Sequence, residues 1–215
     1  MKRKTMTLVL CLLAALALVS VGFASWVISA DANEAKTGNI TVDTVTDQRL
    51  SLEVSLATGS KPDLTFGKND SNNPNHWFYN NGDLTENLEV VYNVKVTADN
   101  QAIAPKTINV TLTETSETYV TAFNAGVVGE LPATVRAVPV DNKVGEYTIT
   151  ITLTWGEKFG GNNPCDYFKG KNINDATGFT APEPQTWGDY AAKYMKEVEK
   201  IQNASYKLTI TVSNK

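Results

Sequence analysis

His76 is the sole histidine of the 215-residue chain, so a Ser-His-Asp or Cys-His relay would have to run through it. It stands in an Asn-rich stretch, 69–83, with no nucleophile motif beside it. One histidine and two cysteines, Cys11 and Cys165, do not make a zinc centre, and the paired histidines of a zinc protease are absent. Asp and Glu number 23, but no clustering marks out a pair for glycoside hydrolysis; scattered surface acids are the plainer reading. Gly160-Gly161 lacks the Lys-Ser/Thr ending of a phosphate loop. Asn69, Asn72, Asn73 and Asn75 offer oxygen ligands to calcium, yet their spacing follows no known loop, and Asn-rich turns form without metal. The expectation is a protein that is not an enzyme and has no cofactor, with calcium as the single candidate ion.

Binding is the other chemistry to look for. Trp77, Phe78 and Tyr79 form a candidate ligand-contact loop, as in a sugar-stacking platform on a β-sandwich. Trp155 and Trp187 are expected in the core instead, because each lies on an apolar stripe. A formal net charge of −4 gives no basic excess for tracking nucleic-acid phosphates, so no nucleic-acid partner is expected.

Alternating apolar and polar residues set the elements that must carry these groups. Leu88, Val90, Tyr92, Val94 and Val96 share one face, as do Ile108, Val110 and Leu112. Tyr147, Ile149, Ile151, Leu153 and Trp155 form a third row, and Tyr206, Leu208, Ile210 and Val212 a fourth. Weaker strand candidates are 40–45, 50–56, 119–123 and 135–140. The opposite faces carry Thr, Lys, Asn and Glu, which suits antiparallel sheets wet on one side.

One segment has a different period. Trp187, Tyr190, Ala191, Tyr194, Met195, Val198 and Ile201 recur at three- and four-residue steps, the stripe of an amphipathic helix over about 187–201. Thr186 and Asp189 are spaced as a capping box. The stripe predicts a lid over one edge or face of a sheet. The fold class expected is mainly β: an antiparallel, jelly-roll-like β-sandwich of about eight strands, with this one helix near the C-terminus. Two long polar stretches, 69–83 and 156–184, interrupt the strands.

The start of the chain reads as an address. Lys2, Arg3 and Lys4 precede an uncharged apolar run, 6–21, and Gly22-Phe23-Ala24 sets a cut between Ala24 and Ser25. The run is at the lower limit for spanning a bilayer. Small residues follow it at once and no basic stop-transfer cluster does, which favours a signal peptide over a retained anchor. Cys11 follows Leu8-Val9-Leu10, not the small residue of a lipid-attachment site. Removing 1–24 takes away three basic residues and no acid, leaving 16 against 23 and a net charge of −7. The expected product is secreted, extracellular or on the cell surface, and meets the membrane only transiently. Its single Cys165 cannot form an internal disulfide.

The junction is more specific than a generic signal. Val21-Gly22-Phe23-Ala24-Ser25-Trp26 is followed by Thr37-Gly38-Asn39-Ile40-Thr41-Val42, and the chain closes on Asn203-Ala204-Ser205-Tyr206 and a last strand. These ends, with the turn from Trp155-Gly156 to Asn163-Pro164, resemble the TasA/camelysin family of surface and biofilm-matrix proteins, whose members carry SipW-type signal peptides. Val27-Ile28 departs from the family's usual aromatic-acidic pair, and the middle of the chain is unmatched. The resemblance implies a jelly-roll subunit, 37–215, trimmed by a dedicated signal peptidase and self-associating into fibres. It also implies that segment 25–36 holds a donor strand completing the sheet of the next subunit. Trp26, Ile28 and Ala30 would share one face of that strand. The protease role assigned to camelysin is not carried over, for want of zinc ligands. A secreted adhesin or carbohydrate-binding module is the alternative.

Overall fold

The computed structural model describes residues 35–46, 49–67, 86–180 and 184–214. Among the described residues ten strands form two sheets. One sheet holds β1 (Ala35–Thr37), β2 (Ile40–Thr46), β10 (Tyr206–Ser213), β6 (Thr107–Glu114) and β7 (Thr134–Val135), in that order. The second holds β3 (Leu50–Leu56), β4 (Glu89–Ala98), β9 (Glu146–Thr152) and β8 (Ala137–Pro139), with β5 (Gln101–Ala102) paired to the end of β4. The mainly-β, two-sheet sandwich expected from the alternation is the fold of the protein.

Period-two patterning explains the core. Along β4 the residues Val90, Tyr92, Val94 and Val96 are all buried, and along β10 Tyr206, Leu208, Ile210 and Val212 are buried. The two rows face each other across the sandwich, so each side chain leaves water without distorting its strand. The β4–β5 hairpin turns on Asp99 and Asn100, both at positive φ, the conformation a two-residue turn of matching twist requires.

Three expectations are corrected. Residues Tyr119–Asn124 form a helix, α1, not a strand. The carboxylate of Glu114 accepts hydrogen bonds from the Thr118 and Tyr119 backbone N–H groups at 2.6 Å each, so two donors at the start of the helix are already satisfied. Tyr119 and Ala122 then point inward at helical spacing, while Val120 and Phe123 face solvent. The stretch 135–140 is two short strands in different sheets, broken between Val135 and Ala137. The pairing is also not antiparallel throughout: β2 and β10, the first long strand and the last, lie parallel over seven residue pairs from Tyr206↔Ile40 to Val212↔Thr46.

The expected C-terminal helix is present as α3 (Trp187–Ile201), after a further short helix, α2 (Pro164–Phe168). Both halves of the capping box form: Thr186 Oγ1 accepts from the Asp189 N–H and Asp189 Oδ2 accepts from the Thr186 N–H, each at 3.1 Å. Ala191, Met195, Val198 and Ile201 are its buried residues. It packs against α1 and the segment before it. The Trp187 and Gly188 N–H groups bond the Asp175 and Ile173 carbonyls, and the Tyr190 hydroxyl donates to the Lys158 carbonyl at 2.8 Å.

Candidate functional site

The residues quoted at the start of the first strand do structural work. Gly38 has φ of +63°, and a Cβ there would press on the Pro62 carbonyl oxygen at 2.5 Å and on Asp63, so only glycine fits the turn between β1 and β2. That turn presents Asn39. Its Oδ1 accepts from the Leu64 N–H at 2.9 Å, and its Nδ2 donates to the Leu64 carbonyl at 2.7 Å and the Ala204 carbonyl at 2.9 Å. One side chain thus joins the first strand, the 62–66 segment and the approach to the last strand.

Beyond this staple one side of the sandwich is unevenly covered among the described residues. β1 pairs with Ile40–Val42 of β2, while β2 runs on to Thr46. On the facing sheet β3 is an edge strand, and its inward-pointing Leu52, Val54 and Leu56 are only half-buried. Main-chain groups at such an edge are what an added strand would pair with, and the half-buried row is what its side chains would cover.

A second feature is aromatic. Phe66, Trp155, Phe159 and Phe168 make successive edge contacts, with centroids 4.9, 5.6 and 6.0 Å apart, linking the core to the 156–180 segment. Trp155 is buried and its Nε1 donates to Glu86 Oε2 at 2.7 Å; the same oxygen accepts from Asn163 Nδ2 at 2.9 Å. Trp187 is half-buried, packed on Phe179 at 4.9 Å and Tyr190 at 5.6 Å. The ammonium of Lys171 sits 4.2 Å from the Trp187 ring centroid and 4.7 Å from that of Tyr167, within cation–π range of both. Sequence reasoning missed this grouping, since nothing in the spacing of Tyr167, Lys171 and Trp187 sets it apart from a loop and a helix start.

Other candidates resolve as structure. Gly160 and Gly161, both at positive φ, close the single 3₁₀ turn Glu157–Phe159. Cys165 is buried. A depression of about 420 Å³ on the outer face of the second sheet is lined by Glu53, Lys95, Lys143 and Glu146. Register sets Glu53, Lys95 and Glu146 side by side, and Lys143 Nζ lies 2.9 Å from Glu146. Charges of alternating sign make this a self-neutralised solvent face.

Burial pushes the Glu114 carboxyl up. Hydrogen bonds from Ser116, Tyr119 and Thr118 outweigh that and hold it below the usual carboxylate range. Burial, with the nearby Asp63 carboxylate, pushes the Tyr92 phenol up to about 12. Tyr119 and Tyr206 are raised further, again by burial first.

Ala24, Ser25, Trp26, Ile28, Ala30, His76, Trp77, Phe78, Tyr79 and the calcium candidates at 69–75 lie outside the described residues. Among the described residues no group of three or more His, Cys, Asp and Glu gathers to hold a metal ion, and no helix is long and apolar enough to cross a membrane. Comparison of the chain with family models, curated proteins and solved structures gives no match.

Proposed function

We propose that this is a secreted structural protein of the bacterial cell surface or biofilm matrix, not an enzyme, whose subunits self-associate into fibres by donor-strand complementation. The observation that carries this reading is the uneven side of the sandwich: among the described residues β2 outruns β1, and β3 faces it with the half-buried row Leu52, Val54 and Leu56. An extended segment with alternating apolar residues satisfies both needs at once, pairing with main chain and covering the row. Trp26, Ile28 and Ala30 have that alternation. Before signal peptidase cuts at Ala24–Ser25 the segment is fused to the apolar run, so assembly waits for export. Electron microscopy of protein starting at Ser25, beside a version starting at Ala32, tests this. Filaments from the first alone are expected; identical behaviour of the two sinks the reading.

A second reading, a carbohydrate-binding module, is favoured by the Trp187–Tyr167 rings. They hold a cation on ring faces of the kind sugars stack on.

A further inference from the structure

We propose that the parallel β2–β10 ladder is a mechanical clamp, placed so that tension between the two ends of the chain is met by all of its pairs at once. The proposal rests on topology and is independent of the fibre reading. Strands β2 and β10 come from opposite ends of the described chain, yet they are neighbours over seven pairs, from Tyr206↔Ile40 to Val212↔Thr46.

Direction decides how such a ladder resists. Because the strands are parallel, the chain enters β2 at Ile40, at one end of the ladder, and leaves β10 past Val212, at the other end. Tension applied through these two points slides one strand along the other, and no pair can open before its neighbours. An antiparallel pair pulled at adjacent ends opens like a zipper, one pair at a time. The short β1 lies upstream and its described residues hold β2 by three pairs, so it peels first and passes the tension to Asn39 and Ile40.

The entry point is reinforced. The Asn39 carbonyl accepts from the Tyr206 N–H at 3.0 Å, and the Asn39 side chain grips Leu64 and Ala204. Across the ladder, Lys207 Nζ lies 3.0 Å from Asp43 Oδ2, a bond that sliding must break. On the inner face Ile40, Val42, Leu208 and Ile210 are all buried, so displacing β2 along β10 also drags apolar side chains out of registry with the core.

Single-molecule force spectroscopy on the chain from Ser25 to Lys215 tests this, by comparing two pulling axes on the same fold. Handles at the termini load the clamp. Handles at Arg49 and Asp99, exposed residues at the adjacent ends of the antiparallel β3–β4 pair, peel that pair instead. At one loading rate the terminal axis is expected to rupture at the higher force. Removing the ion pair with D43A and K207A is expected to shorten lifetime under constant force about two- to fivefold on the terminal axis and to leave the 49–99 axis unchanged. Equal or lower force on the terminal axis overturns the proposal. So does an ion-pair deletion that leaves the terminal axis unchanged, or one that shortens both axes alike, since that is general destabilisation and not a clamp.

Discussion

The side-chain amide of Asn39 pairs with the backbone of Leu64 as another strand would, accepting from its N–H at 2.9 Å and donating to its carbonyl at 2.7 Å. Residues 25 apart in sequence are thereby fixed to one another, and a third bond to Ala204 brings in the approach to the last strand. Each such bond contributes about 1 kcal/mol net, and each partner left unpaired costs more. Asn39→Ala is therefore expected to lower unfolding free energy by about 2–4 kcal/mol in urea melts. Asn39→Asp keeps the acceptor but turns a carboxylate toward two carbonyls, so it should be no better than alanine. Gly38→Ala should fail in the same range, because the turn has positive φ and no room for a Cβ.

Glu114 makes acid a specific stress on α1. Its Oε1 accepts from the Ser116 hydroxyl at 2.7 Å, from the Thr118 and Tyr119 N–H groups at 2.6 Å, and from the Thr118 hydroxyl at 3.0 Å. A carboxyl held below its ordinary value gives stability that is complete above its unfolded pKa and is lost as pH falls through the folded one. Melting temperature should fall below about pH 4, and part of that fall should vanish in Glu114→Ala. At neutral pH the same variant should cost about 1–2 kcal/mol, the range for losing a helix cap.

Some of this organisation was open to reading and some was not. The rows on β4, β9 and β10 were visible because period-two burial is written locally, one residue at a time. The α3 stripe and its Thr186–Asp189 cap were visible for the same reason. Stretch 119–123 misled because Tyr119, Val120, Thr121 and Phe123 are strand-prone residue types; the choice went to helix through a carboxylate five residues upstream, which residue type does not register. The parallel ladder was hidden because it joins residues 166 apart, Ile40 and Tyr206, and pattern fixes which face is buried but not which strand lies next door. Gly38-Asn39 was noticed as a motif, but the use of its amide depends on where Leu64 and Ala204 arrive.

Tyr92 gives a stress at the other end of the pH scale. Its hydroxyl is buried in the core with no hydrogen-bond partner among the described residues, and burial with the Asp63 charge raises its pKa from 10 to about 12. A raised phenol keeps its proton in the fold while the unfolded chain loses it. The associated stability is whole below pH 10 and is lost as pH climbs toward 12. Tyr92→Phe should remove the component of alkaline unfolding that belongs to this group. It should be neutral or stabilising by about 1 kcal/mol at pH 7, since no bond is lost and a buried polar atom is relieved. Urea melts of both proteins at pH 7 and pH 11 check the sign; a destabilised Phe variant at pH 7 would reveal a partner for the hydroxyl.

The last prediction separates the two readings of function through Lys171. Its ammonium lies 4.2 Å from the Trp187 ring and 4.7 Å from the Tyr167 ring, a contact whose removal costs about 0.5–1 kcal/mol at a partly exposed site. Lys171→Met should therefore fold normally, with a small loss of stability and a change in tryptophan emission. If the rings serve only to fasten the 169–180 segment to α3, neither the wild-type chain nor this variant will bind on a glycan array, and filament formation from Ser25 onward will be untouched. If they serve a sugar, the wild-type chain will bind, and Trp187→Ala will abolish binding while its melting curve stays cooperative. The fibre reading expects the first result. Glycan binding lost with Trp187, together with an absence of filaments, would transfer the function from the open edge of the sandwich to the aromatic end.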